Sequence, residues 1–159
     1  MNFPRVLRIL LIFVFAAPGT VPFLITRAWP QTSPEPWTIA QTVQPTDLAK
    51  ELAGKSAPSV LFVGFERLYG AGRIKDAQFH GVGSSAEGAA AIRKWAEPLS
   101  RSTNVVIYCG CCPLGKCPNI RPAFALLHGM GFTKLRVLIL PTSFAVDWAG
   151  QGLPFDHGR

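Results

Sequence analysis

The chain is short of acidic groups, with nine aspartates and glutamates against sixteen lysines and arginines in 159 residues. No run of Lys/Arg is interleaved with aromatic residues, which argues against nucleic-acid binding, because that function needs a basic stripe along the surface. There is no internal repeat and no low-complexity tract, which excludes a solenoid or a repeat array. Cysteine pairs at zinc-finger spacing are missing too: only one C-x-x-C occurs, and none of the three histidines lies near it. A metal cage needs thiolates converging from at least two directions, so the pattern assigns no metal ligand set and no cofactor. The formal charge of +7 overstates the folded surface. Leaving Arg5, Arg8 and Arg27 out of the sixteen basic residues gives thirteen against nine, or +4. That mild bias suits small anionic ligands.

What is present begins with a targeting segment. Arg5 and Arg8 precede a charge-free run from Ile9 to Thr26, the pattern of an export signal or of a single N-terminal membrane anchor over residues 9–26. Pro18, Gly19 and Pro22 interrupt that run and favour cleavage over anchoring. Small residues at cleavage spacing occur at Thr26/Ala28 and at Thr38/Ala40. The expected organisation is therefore residues 1–28 as signal or anchor, 29–43 as a proline-containing linker, and 44–157 as the folded domain. Trp29 and Trp37 flank the linker and are placed at a membrane surface if the segment is retained. Export places the protein in a periplasmic or other extracytoplasmic compartment, where disulfides persist.

Within the domain, helix and strand signals alternate. "QPTDLAKELAG" reads as a helix with Thr46 as N-cap and Gly54 as stop. The apolar run Ser59 to Phe65 reads as a buried strand, and a second short strand is expected around Ala77 to His80. Ser84 or Ser85 opens a helix ending near Pro98. "NVVIYC" is a third strand, Asn119 caps a helix that stops at Gly129 or Gly131, "KLRVLIL" is a fourth strand, and "TSFAVDWAGQG" a final short helix. Strands that are apolar throughout and alternate with helices define an α/β fold with a mainly parallel sheet covered on both faces. In such a sheet the ligand site lies at the carboxyl ends of the strands.

All four cysteines fall at one such end, in "VVIYCGCCPLGKCPNIRPAF". Cys109 directly follows the strand; Cys111, Cys112 and Cys117 occupy the loop into the next helix. Backbone N–H groups and a helix N-terminus beside a sulfur stabilise its thiolate. Lys116 and Arg121 are candidates to add positive charge. The pattern alone leaves open a nucleophile, a redox pair, loop disulfides or a thiol-binding module. His80, at a strand end, reads as a structural histidine, and His128 and His157 receive no role. Trp95 and Trp148 read as packing residues.

The order of motifs resembles the rhodanese-like domain family. "VVIYC" is followed by "RPAFALLHGMGF" (residues 121–132), then "KLRVLIL", then "WAGQGLP" (148–154); upstream, "YGAGRIKDAQF" (69–79) is similar to that family's "YxxGHIPGAxN" segment. The similarity runs from about Gln44 to Phe155. It implies a sulfurtransferase fold in which Cys109 takes sulfane sulfur from a small anionic donor such as thiosulfate, becomes a persulfide, and passes the sulfur to a thiol acceptor. Loop N–H groups, Lys116 and Arg121 would hold the donor; Cys117 is the second candidate nucleophile, and Cys111 and Cys112 are candidate resolving thiols. The chain departs from the family pattern in three places. Arg121 stands twelve residues after Cys109, so the loop is enlarged by about six. Gly64 and Phe65 replace an Asp and an Arg after the first strand, and "TSFA" replaces paired glycines. The alternatives are a thiol–disulfide oxidoreductase using Cys109 and Cys112, and a non-catalytic thiol- or metal-binding module on the same fold.

Overall fold

Asn104 followed by the apolar run Val105, Val106, Ile107 and Tyr108 forms β5 (Asn104–Tyr108) at the centre of a parallel sheet. The computed structural model describes residues 35–158. The expected signal or anchor, Trp29 and Arg159 lie outside them. Among the described residues no helix is long and apolar enough to cross a membrane.

In chain order the elements are β1 (Thr42–Val43), α1 (Pro45–Leu52), β2 (Ser59–Phe62), α2 (Glu66–Ala71), β3 (Arg73–Ile74), β4 (Gln78–Phe79), α3 (Ala86–Ala96), β5, α4 (Ile120–Gly129), β6 (Lys134–Leu138), α5 (Phe144–Asp147) and β7 (Phe155–Asp156). The large sheet runs β1-β6-β5-β2-β4, and every neighbouring pair is parallel. Successive β5 side chains enter opposite layers. Val105, Ile107 and Cys109 join α3 and α4 residues such as Ile92, Phe124 and Leu127, whereas Val106 and Tyr108 join Leu48, Ile74 and Trp148. Both faces are thus covered, as the apolar strands require, and each such buried side chain contributes roughly 1.5–3 kcal/mol. The mainly parallel α/β architecture expected from the sequence is the one observed.

Several local expectations are corrected. Residues 35–43 are not a linker: Thr42 and Val43 pair with Val137 and Leu138 at the sheet edge. Trp37 is buried against Phe124, ring centroids 5.5 Å apart, not at a membrane surface. Helix α1 is capped by Gln44, not Thr46, because Pro45 at its first position already has the helical φ and needs no N–H partner. The strand expected to reach Phe65 stops at Phe62, although Val63 N–H still reaches the Tyr108 carbonyl at 2.8 Å. The small antiparallel pair β3–β7 had no signal in the sequence, both strands being two residues long. Ser85 caps α3 as expected, its hydroxyl accepting from Gly88 N–H at 2.9 Å.

Candidate functional site

The cysteine loop leaves β5 through a sharp bend. Gly110 has φ +77, a left-handed conformation that disfavours side chains, and a Cβ there would stand 2.6 Å from that of Phe144. Phe144 N–H donates to the Gly110 carbonyl at 3.0 Å, and Leu114 N–H to the Leu140 carbonyl at 3.0 Å. These bonds fasten the loop to the segment that follows β6. A single 3-10 turn, Leu114–Lys116, then brings Cys117 back beneath the strand end and into α4.

The four thiols are free, and the loop gathers them. Cys109 Sγ lies 3.2 Å from Cys111 Sγ, which lies 3.1 Å from Cys112 Sγ. Cys117 closes the group from the other side: the sulfurs of Cys109, Cys111 and Cys117 all lie within 4.8 Å of one another. The neighbour of Cys109 is therefore Cys111, not the Cys112 of the C-x-x-C pairing. Burial raises Cys111 to about 11, helped by its contact with Cys112. Burial likewise pushes Cys112 up. Cys117 is pushed up furthest, first by its hydrogen bond with the Cys109 sulfur and then by burial, against the pull of the Asn119 and Ile120 backbone N–H groups.

Asn119 is the residue that sequence reasoning missed. It precedes α4, but its side chain makes no capping bond. Instead its Nδ2 donates to Cys109 Sγ at 3.4 Å and its Oδ1 accepts from Ser84 Oγ at 2.6 Å. It is fully buried, the one such polar residue among those described, and both ends of its amide are satisfied, as burial demands. Gly64 is the second omission. A Cβ at that position would come within 2.9 Å of Cys109 Sγ and 2.5 Å of the Phe62 ring. Glycine at 64 thus lets the Cys109 sulfur sit against the turn after β2.

The two basic candidates are not brought to Cys109. Arg121 donates to the carbonyls of Cys117 and Gly115, both at 3.2 Å, and pairs with Glu35. It braces the loop from outside. Lys116 is exposed at the end of the 3-10 turn. The backbone amides of Asn119 and Ile120 face Cys117, and those of Lys116 and Cys117 close turns onto Pro113 and Leu114. Among these donors, Cys109 receives the Asn119 amide and the hydrogen bond with Cys117.

Cys109 is itself buried, but the residue adjoins open space. With Gly110 it lines a cleft of ≈ 370 Å³ walled by Phe62, Leu68, Phe144 and Phe155, with His157 at its rim. Cys117 does not line this cleft; it lines a void of ≈ 10 Å³ behind the loop, shared with Cys109, Cys112 and apolar neighbours. His157, given no role by the sequence, belongs to the cleft because β7 returns beside β3. His80 is structural: it stacks on Trp95 at 5.2 Å, meets Gln78 Oε1 at 3.2 Å, and burial lowers its pKa. His128 stacks on Phe124, and Trp148 is buried with its Nε1–H on the Pro154 carbonyl.

No family model matches the sequence, and no curated protein matches it. Solved structures do. The solution structure of the rhodanese-like domain of an Anabaena protein is 22% identical, with a TM-score of 0.54 over 74% of this chain and 79% of that one. A crystal structure of the same Anabaena protein gives 19% identity and a TM-score of 0.55 over 73% and 92% of the two chains. A Bacillus halodurans protein is similar at 18% identity, TM-score 0.58, over 74% and 77%. The protein therefore has the rhodanese-like fold, with a cluster of four cysteines at the carboxyl end of its central strand.

Proposed function

We propose that the protein is a sulfurtransferase whose nucleophile is Cys109. The observation that carries this reading is the position of Cys109: it follows the central strand, the residue adjoins the apolar cleft beside Gly110, and its sulfur has donors in the Asn119 amide and the Cys117 thiol. A strand-end nucleophile facing a cleft is where an α/β sheet binds ligands. Attack by the Cys109 thiolate on the outer sulfur of thiosulfate forms a Cys109 persulfide and releases sulfite. A thiol acceptor then takes the outer sulfur as its own persulfide and returns Cys109 as thiolate. The covalent intermediate divides one transfer into two steps.

Cys111 offers a second exit. Its thiolate, 3.2 Å from Cys109 Sγ, attacks the inner sulfur of the persulfide, so that a Cys109–Cys111 disulfide forms and hydrosulfide leaves. An external thiol must then reduce that disulfide. Because burial holds Cys111 protonated up to about pH 11, this exit is slow at neutral pH and quickens as pH rises toward that value. Transfer to an outside thiol is the main route.

Residues 1–28 are taken as an export signal or N-terminal anchor, on the charge-free run behind Arg5 and Arg8, which sets the reaction outside the cytoplasm. The function is tested by anaerobic incubation of the reduced protein with thiosulfate. One equivalent of sulfite per chain before any acceptor is added, and turnover after a thiol is added, supports the reading. No sulfite from folded protein with free thiols refutes it.

A further inference from the structure

A chain with one C-x-x-C and no nearby histidine does not announce a metal site. The fold supplies what that spacing lacks, since the thiols arrive on separate pieces of backbone: Cys109 from the end of β5, Cys111 from the bend after it, and Cys117 from the residues entering α4. Their three sulfurs lie within 4.8 Å of one another. A metal–sulfur bond of about 2.3 Å places the sulfurs of a trigonal site about 4 Å apart, so only small side-chain adjustments separate this triangle from a coordination shell.

We infer that Cys109, Cys111 and Cys117 form a three-thiolate site for copper(I). The donor set selects the ion. Only soft sulfur donors converge here, with no imidazole or carboxylate among them, and such donors select copper(I) over hard cations. Structural zinc is almost always held by four ligands, whereas the fourth sulfur, of Cys112, touches Cys111 at 3.1 Å and neighbours Cys117 but does not lie within 4.8 Å of all three. The surroundings fit a site held in place rather than a chance cluster. Asn119 Nδ2 is bonded to Cys109 Sγ, itself fixed by Ser84, and the backbone N–H groups of Asn119 and Ile120 face Cys117 Sγ. Outer donors of this kind orient metal-bound sulfur and offset its charge. Leu114, Ile120, Leu138 and Leu140 line the void behind the sulfurs and keep water away.

Binding displaces the thiol protons, so affinity falls as pH falls. It also occupies the lone pairs of Cys109, so copper(I) and sulfane sulfur exclude each other at that atom. The site goes beyond the sulfur-transfer reading and does not rest on it.

The test uses the full chain, reduced and under argon, titrated with copper(I) carried by a chromophoric bathocuproine chelator. The expected result is removal of one copper(I) per chain from the chelator, with an X-ray absorption spectrum of three sulfur neighbours. Cys111→Ser and Cys117→Ser should each weaken retention by more than about 100-fold, beyond the usual loss of an outer-shell partner. Cys112→Ser should retain the ion, with far-UV circular dichroism confirming that each variant is folded. Failure of the wild-type chain to compete with the chelator overturns the proposal. So does equal loss in Cys112→Ser, or tighter binding of zinc through four sulfurs. None of these readouts involves sulfur transfer, so either reading can fail while the other stands.

Discussion

The two ends of the parallel sheet are built on different chemistry. Near the amino ends of β5 and β6, Arg136 forks onto Glu51, its Nη1 at 2.8 Å from Oε1 and its Nη2 at 2.5 Å from Oε2, and reaches Asn104 Oδ1 at 3.1 Å. That pair is partly exposed to water. At the carboxyl end, four thiols, one buried amide and a ring of apolar side chains take their place, and the nearest guanidinium, Arg121, is held by loop carbonyls and Glu35. One end stabilises by ordinary ion pairing. The other keeps uncharged groups in poor solvent, where any anion that forms depends on a few fixed donors.

The sharpest break in this contrast is Cys109→Ser. It should abolish sulfur uptake from thiosulfate while leaving thermal stability nearly unchanged, which activity and melting measured together would check. Gly110→Ala comes next. A side chain at φ +77, pressed on Phe144, should cost about 1–3 kcal/mol in chemical denaturation and slow sulfur uptake by displacing Cys109. Asn119→Ala leaves the Ser84 hydroxyl and the Cys109 sulfur without their partner, with an expected loss of about 1–3 kcal/mol. Retention of wild-type stability and uptake in that variant would remove Asn119 from the site.

At the ionic end the effect is smaller and depends on pH. The Arg136 guanidinium holds the Glu51 carboxyl below its ordinary value of 4.5. A lowered folded-state pKa gives stability that is present above the unfolded pKa and disappears as pH falls through the folded one. Glu51→Gln should therefore cost less than about 1 kcal/mol at neutral pH, because the pair is partly exposed. The difference from wild type should shrink as pH falls below the ordinary value of 4.5 and through the lowered folded-state pKa, in denaturation curves taken across pH. Lys116→Ala, on an exposed turn, should change stability by less than about 0.5 kcal/mol.

The same contrast explains what the sequence could reveal. The strands were legible because each is an apolar run whose neighbours alternate with helices, and Cys109 was legible as the residue at the end of one of them. Residues 35–43 were misread because prolines and a lack of period imitate a linker. Trp37 is buried only through Phe124, and Glu35 is fixed only through Arg121, 86 residues away. Asn119 looked like a helix cap because its other partner, Ser84, is 35 residues distant. Lys116 and Arg121 were placed in the site by closeness along the chain, which does not fix the direction of a side chain. The convergence of Cys117 on Cys109 likewise depends on the return of the seven intervening residues, 110–116, that no spacing rule encodes.

The proposed transfer depends on the Cys109 sulfur as the accepting atom. The most direct measurement is the intact mass of the reduced protein after brief exposure to thiosulfate, with fragmentation to locate any addition. One added sulfur atom on Cys109 is the predicted result. Addition on Cys117, or none in a folded protein with four free thiols, would contradict it.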